Sequence, residues 1–173
     1  TTTRITHATP ASTYAHICHR DAENDIASQL VPSSQGDTYQ RYNVKLKDGV
    51  DVILGGGKRQ FLPKDQGGER IDQRNLIAEM QQAGYRVVYD QTQLSQMKLG
   101  KNEKLLGLFN TSHLNYDLDR TKKNLPEPSL KQMTLAALDI LTQNKNGFFL
   151  MVEGGRIDHA LHDTNAKRAL QDT

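Results

Sequence analysis

Gly147-Phe148-Phe149-Leu150-Met151-Val152-Glu153-Gly154-Gly155-Arg156-Ile157-Asp158-His159-Ala160-Leu161-His162 is the stretch whose reading decides the fold. Phe148 to Val152 is apolar without a polar break, which predicts a strand buried on both faces. The run ends in a carboxylate, Glu153, followed by two glycines and then Arg156, Asp158, His159 and His162. Open α/β sheets present their sites in this way, at the C-terminal ends of strands. Asp158 and His162 are four apart, so a helical turn places them on one face with Cβ atoms ~5–6 Å apart. An oxygen and a nitrogen so placed can both reach one Zn²⁺ at ~2.0–2.2 Å. Glu153, before the turn, suits a second, harder ion that prefers oxygen. A plainer reading fits the spacing equally well: Glu153 as a helix N-cap partner, Asp158 and His162 as a surface pair.

Working outward, Ser129 and Gln132 form a capping box opening a helix with Leu130, Met133, Ala137, Leu138 and Leu141 on its buried stripe. Asn144 to Gly147 turns that helix into the opening strand. Further strands are predicted at Val50–Leu54, Tyr85–Tyr89 and Leu105–Phe109. Helices are predicted from an Asp72 cap to Ala83, at Thr92–Met97 and over Asn165–Asp172. Alternating strands and helices imply parallel strands with crossover helices, an α/β fold, and no internal boundary divides residues 1–173. Thr1 to Thr3 read as a strand end. Thr6 or Thr9 caps a short helix with Pro10 at its first position, and Asp21–Leu30 is a second helix. Residues 32–43, Phe61–Glu69 and His113–Leu125 read as loops. The Gly55-Gly56-Gly57 run fails both nucleotide-loop patterns, because Gln60 and Arg59 stand where glycine and a hydroxyl residue belong. It is a tight turn.

Composition narrows the function classes. Net charge is +2 with no long basic run, which excludes a nucleic-acid footprint. Hydrophobic residues make up 36%, and with 13 glycines the apolar share sits just under ordinary globular usage. Apolar runs are far short of the ~18 residues of a membrane span. A single cysteine, Cys18, forms no internal disulfide. His16, Cys18 and His19 are too crowded for a metal site and lack a fourth partner. His113, in a polar loop, reads as solvated.

The quoted stretch closely resembles the signature of alkaline phosphatases. Thr1–Ala11, Thr13–His16, Asp51–Gly57 and Leu106–Phe109 resemble further blocks of that family, in the family's order and across nearly the whole chain. The resemblance implies a three-layer α/β sandwich with a mostly parallel central sheet, incomplete here. It implies hydrolysis of phosphate monoesters through a phosphoserine in the intact enzyme, with two Zn²⁺ and one Mg²⁺ per subunit. It also implies a homodimer in the periplasm or outside the cell. By resemblance Asp158 and His162 are zinc ligands, and Glu153 and Thr9 are magnesium ligands. His7 lies around that magnesium, Arg20 grips the substrate phosphate, and His159 reaches the phosphate through water. Without the resemblance Arg20 reads as a cation at a helix C-terminus.

Two departures accompany the match. None of the seven serines stands in the family's Asp-Ser-Ala nucleophile block, and the second Asp-His zinc block and last zinc histidine are absent. The reading is of a central segment, inactive alone and either poorly stable or prone to self-association. Asn110 replaces the acidic residue that follows Leu-Phe in the animal enzymes, while Glu127 keeps another of their acids. This implies an absent or weak calcium site. Other readings are a phosphodiesterase or phosphomutase of the same superfamily, or a non-catalytic metal-binding relative.

Overall fold

The computed structural model describes residues 1–32, 48–98, 100 and 103–173. Three parallel strands form its sheet: β1 (Val52–Gly55), β2 (Tyr85–Val88) and β3 (Lys104–Leu108), in the order β1-β3-β2. Leu105 sits beside Val52 on one side and Arg86 on the other. Helix α3 (Leu76–Gln82) connects β1 to β2, and α4 (Gln91–Gln96) connects β2 to β3. This is the crossover order that the sequence implies.

The strands alternate their side chains between two cores. Ile53, Leu106 and Leu108 pack with α3 and with α1 (Ala8–Ser12) and α2 (Glu23–Ser28), through Ala11, Ile26, Ala27, Ile77 and Met80. Leu54, Val88 and Leu105 pack on the opposite face against α4 and α6 (Leu130–Leu141), through Leu94, Met133 and Ala137. Helices thus cover both faces of a parallel sheet, the three-layer arrangement of α/β folds. The Ser129–Gln132 capping box is present in both directions. A smaller cluster joins Tyr116 to α7 (Arg156–His162) and α8 (Ala166–Asp172) through Ala160 and Ala169.

Several local expectations are corrected. Residues 148–152 are extended but belong to no ladder, and Phe149 is 83% exposed rather than buried on both faces. The physical reason is pairing: the Thr2 amide reaches only the carbonyl of Glu153, at 3.2 Å, so no strand flanks the run, and Leu150 alone packs on the core of Leu54, Met133 and Ala137. Thr1 to Thr3 form no strand, and Arg4 makes one isolated bridge to Gly56. Helix α1 starts at Ala8 with His7 at its N-cap, so Pro10 lies inside its first turn. Asn75, not Asp72, caps α3, accepting from the Ala78 amide at 2.9 Å. Asp72 is committed to Arg70 instead. The loop expected at His113–Leu125 contains α5 (Asp117–Lys122). The loop expected over 32–43 lies, beyond residue 32, outside the described residues.

Arg70 fixes how α2 meets the sheet. Its side chain is 1% exposed and donates to the carbonyls of Asn24 (2.7 Å) and Gln60 (3.1 Å), to Ser28 Oγ (3.0 Å) and to Asp72. A buried cation is tolerated because its donors are spent on fixed acceptors. The start of α2, and with it Glu23, is therefore pinned beside the C-terminal end of β1.

Candidate active site

The site grows from the turn after β1. A Cβ at Gly56 would stand 2.1 Å from the Ser112 carbonyl, so only glycine permits this approach. The amides of Gly56, Gly57, Lys58 and Arg59 donate to the carbonyls of Thr3, Asn110, Ser112 and Thr111. Every amide of the turn is consumed by backbone, which leaves none to cradle a phosphate and agrees with the failed nucleotide patterns. This lacing holds the segment after β3 against the segment around Arg4. His113 Nδ1 accepts from the Arg4 amide at 3.1 Å. The Arg4 guanidinium is gripped by both oxygens of Glu23 and turns Nη1 to His113 Nε2. Burial would raise the Glu23 pKa, but hydrogen bonds from Arg4 and Thr6 outweigh it and hold the carboxyl below its usual value.

His113 is thus half-buried, not solvated. It meets His159 with ring centroids 4.5 Å apart and His7 at 5.0 Å, while His7 and His159 stand at 5.6 Å. Available nitrogens of the three rings lie within 4.8 Å of one another. Three imidazoles round one tetrahedral ion would have centroids about 5 Å apart, so the spacing alone suits a metal. The surroundings do not. Arg4 faces His113, Arg156 Nη1 stands 2.8 Å from His159 Nδ1, and Arg20 Nη2 stands 3.5 Å from His7 Nε2. Arg4 is paired with Glu23, so Arg20 and Arg156 remain as the positive charge at the rings, which favours an anion over a cation held by the three imidazoles alone. The protonation states agree. Burial, and then Arg4, His159, His7 and Arg156, push His113 down to about 3. Burial and the neighbouring arginines also lower His7 and His159. All three rings are neutral at pH 7.

Glu153 reaches the same neighbourhood from the other side. Its carboxylate accepts from Thr3 Oγ1 at 3.0 Å and from Thr1 Oγ1, and its charge acts on His7. Gly155 makes this possible, since a Cβ there would lie 2.4 Å from Thr3 Cγ2 and 3.0 Å from the Glu153 carboxyl carbon. Glu153 is not a cap of α7, which starts after Gly155 with no side-chain cap. On α7 the i,i+4 pair forms as the spacing requires. Asp158 Oδ1 and His162 Nε2 are 3.5 Å apart, with side chains 71% and 79% exposed. Two ligands of one tetrahedral zinc are separated by about 3.3–3.5 Å, so the spacing of this pair matches that span as well as that of an exposed ion pair.

The structure therefore gathers His7, Arg20, His159 and the Glu153 charge in one place, and Asp158 with His162 beside it. Arg20 lies between α1 and α2, not at a helix C-terminus. Thr9 is different: it is exposed on α1, and no hydrogen bond joins it to Glu153. The His16, Cys18 and His19 run is exposed and stays outside the cluster. His113 is the residue that sequence reasoning missed. Its signal was position, five residues beyond the C-terminal end of a buried parallel strand, where such folds place sites.

The comparisons bear on the whole chain. The alkaline phosphatase family model matches residues 1–173. A membrane-bound alkaline phosphatase of Bombyx mori is 39% identical over 100% of this chain and 34% of its own length. The crystal structure of Thermus thermophilus alkaline phosphatase superposes with a TM-score of 0.81 at 40% identity, covering 99% of this chain and 32% of that one. A mutant of the TAB5 alkaline phosphatase with bound magnesium shares the fold, with a TM-score of 0.69 at 24% identity over 99% of this chain and 42% of that one. The chain spans about a third of the length of the curated relatives it matches. No helix among the described residues is long and apolar enough to cross a membrane. A parallel sheet with helices on both faces, a carboxylate before a glycine turn with an Asp–His pair after it, and a match along every residue lead to one conclusion: this chain belongs to the alkaline phosphatase family.

Proposed function

We propose that this chain supplies the metal-ligand and phosphate-gripping part of an active site that hydrolyses phosphate monoesters in the whole protein. The observation that carries the reading is the Asp158–His162 pair, 3.5 Å apart and open to solvent at the span of two zinc ligands. The family is metal-dependent, and the donor set here is sorted by hardness: oxygen and nitrogen on α7 for zinc, carboxylate oxygen at Glu153 for magnesium. Thr9 would join Glu153 as a magnesium ligand, with His7 beside that ion's waters. Bound zinc would supply Lewis-acid stabilisation of the attacking and leaving oxygens.

The chain's own residues do the rest. Arg20 offers a planar pair of donors to a phosphate, a geometry that an ammonium cannot copy. Its charge is not consumed by an ion pair among the described residues. His159, neutral in its cationic setting, can donate to the phosphate through water. A serine nucleophile acting through a phosphoserine would come from outside these residues, because no serine here stands in the Asp-Ser-Ala setting. We further propose that residues 1–173 are one part of a single domain. The whole protein would work as a homodimer in the periplasm or at the cell surface. The test is the Asp158→Ala, His162→Ala double variant of the full-length protein. It should lose zinc and p-nitrophenyl phosphate turnover together, and full zinc content with full turnover would sink the reading.

A further inference from the structure

Arg156 lies outside the ligand set, and its side chain is placed between Tyr116 and His159. Its amide donates to Thr2 Oγ1 at 3.2 Å. Its guanidinium stacks on the Tyr116 ring, 3.8 Å from the centroid. That ring is fixed in turn: Tyr116 Oη donates to Asp163 at 2.8 Å, and Arg168 lies over the ring at 4.5 Å while paired with Asp119 at 2.8 Å. A stack this close on a ring tied at its far end leaves the guanidinium little freedom. Arg156 has no carboxylate partner among the described residues, and its buried Nε has no partner there either.

From this position Arg156 Nη1 meets His159 Nδ1 at 2.8 Å, the two residues being one helical turn apart. Arginine has donors and no acceptor, and it keeps its charge at any working pH. The ring nitrogen facing it must therefore be the lone-pair nitrogen. A neutral imidazole has one proton, which then resides on Nε2.

We propose that Arg156 is a positioning residue that holds His159 as the Nε2–H tautomer, making it a hydrogen-bond donor to an anion and not a metal ligand. An Nε2 that carries the proton has no lone pair for a cation, whereas the opposite tautomer would offer one. With its Nε2 protonated and its Nδ1 facing Arg156, His159 would offer no lone pair to an ion shared with His7 and His113. The role of Arg156 rests on the reading of His159 as a phosphate-side residue, but the tautomer itself is measurable without activity.

The experiment uses the full-length protein with ¹⁵N-labelled histidine, and the His159→Asn variant assigns the His159 signals. Two-bond ¹H–¹⁵N correlations at neutral pH should show His159 protonated at Nε2 in the unmodified protein. Arg156→Lys, which keeps a cationic donor, should show the same. Arg156→Glu presents an acceptor to Nδ1 and should move the proton there. It should weaken inhibition by inorganic phosphate by roughly tenfold, the effect of one hydrogen bond to a charged group, with zinc content unchanged. A proton on Nδ1 in the unmodified protein would overturn the proposal, as would an Arg156→Glu variant with unaltered tautomer or unaltered phosphate inhibition. Should Arg156→Glu fail to fold, Arg156→Met serves. It removes the donor and keeps an apolar contact with Tyr116, and phosphate inhibition at the unmodified level in that variant would also overturn the proposal. Failure of the phosphatase reading is separate, because it would show as retained zinc and turnover in the Asp158, His162 double variant whatever the His159 tautomer.

Discussion

Strand β3 and residues 148–152 are two five-residue stretches rich in apolar side chains, with opposite fates. Leu105, Leu106 and Leu108 are at most 1% exposed, between β1 and β2 and under helices on both faces. In the other run Phe148 and Val152 are nearly half exposed and Phe149 is 83% exposed. The two runs differ in their neighbours, and it is the less apolar one, carrying Lys104 and Gly107, that is buried. A strand is buried when other strands satisfy its amides and other layers cover its faces, and neither condition can be read from the run itself.

The comparison is broken most directly at β3. Leu106→Ala removes a fully buried side chain from the centre of the sheet, where surrounding strands cannot collapse into the gap. It should destabilise the chain by roughly 2–5 kcal/mol in urea unfolding. A loss below about 1 kcal/mol would mean that the two runs differ less than their exposure says.

A smaller effect is expected just beyond β3. Glu127 is 4% exposed, and its carboxylate accepts from Asn110 Nδ2 and from the amide and Nδ2 of Asn115, the latter two at 2.9 Å. Amide donors thus hold this acid with no second carboxylate at Asn110. Glu127→Ala strands buried donors and should cost about 1–3 kcal/mol. A variant as stable as the parent would show that the Asn110–Glu127–Asn115 contact does not order the segment that leads from β3 to His113.

What was legible in the sequence follows the same division. A capping box, a short apolar strand ended by glycines and the i,i+4 pair on α7 are local patterns, and Ser129–Gln132, Ile53–Leu54 and Asp158–His162 fall where the patterns put them. His113 and Arg70 were not legible. Each gains its role from partners more than forty residues distant, Arg4 for the one and Asn24 and Ser28 for the other. Asp72 failed as a cap for a similar reason, because a fully buried arginine competes for its carboxylate.

The histidine cluster gives a pH test of that long-range packing. Unfolded, His113 takes a proton near its ordinary value of 6.5, while in the fold it does so only at about 3. Between those values the unfolded chain binds more protons, so stability falls as the pH drops from about 6.5 towards 3 and is level above 6.5. His7 and His159 are lowered in the same direction. Glu23 adds to the loss only below the ordinary carboxylate range. Half-burial makes the slope modest. Urea unfolding at pH 7.5, 6, 5 and 4 should show the decline, and His113→Asn should flatten it. A parent protein equally stable at pH 7.5 and 5 would place His113 in solvent after all.

The smallest effect on stability belongs to the exposed run. Phe149→Ser removes a ring that is largely in water already, so the unfolding free energy of the 173-residue chain should change by no more than about 0.5 kcal/mol. Association is another matter. An apolar segment that joins no strand among the described residues is a template for another chain. Phe149, with Phe148 and Val152 beside it, is the part of this surface with the most to gain from contact. Sedimentation velocity over a range of concentrations should show the 173-residue chain associating with itself, and Phe149→Ser shifting the population towards monomer at unchanged stability. If Phe149→Ser instead destabilises the monomer as much as Leu106→Ala does, the run is buried in solution. The contrast with β3 would then vanish, and the expectation of a strand covered on both faces would stand.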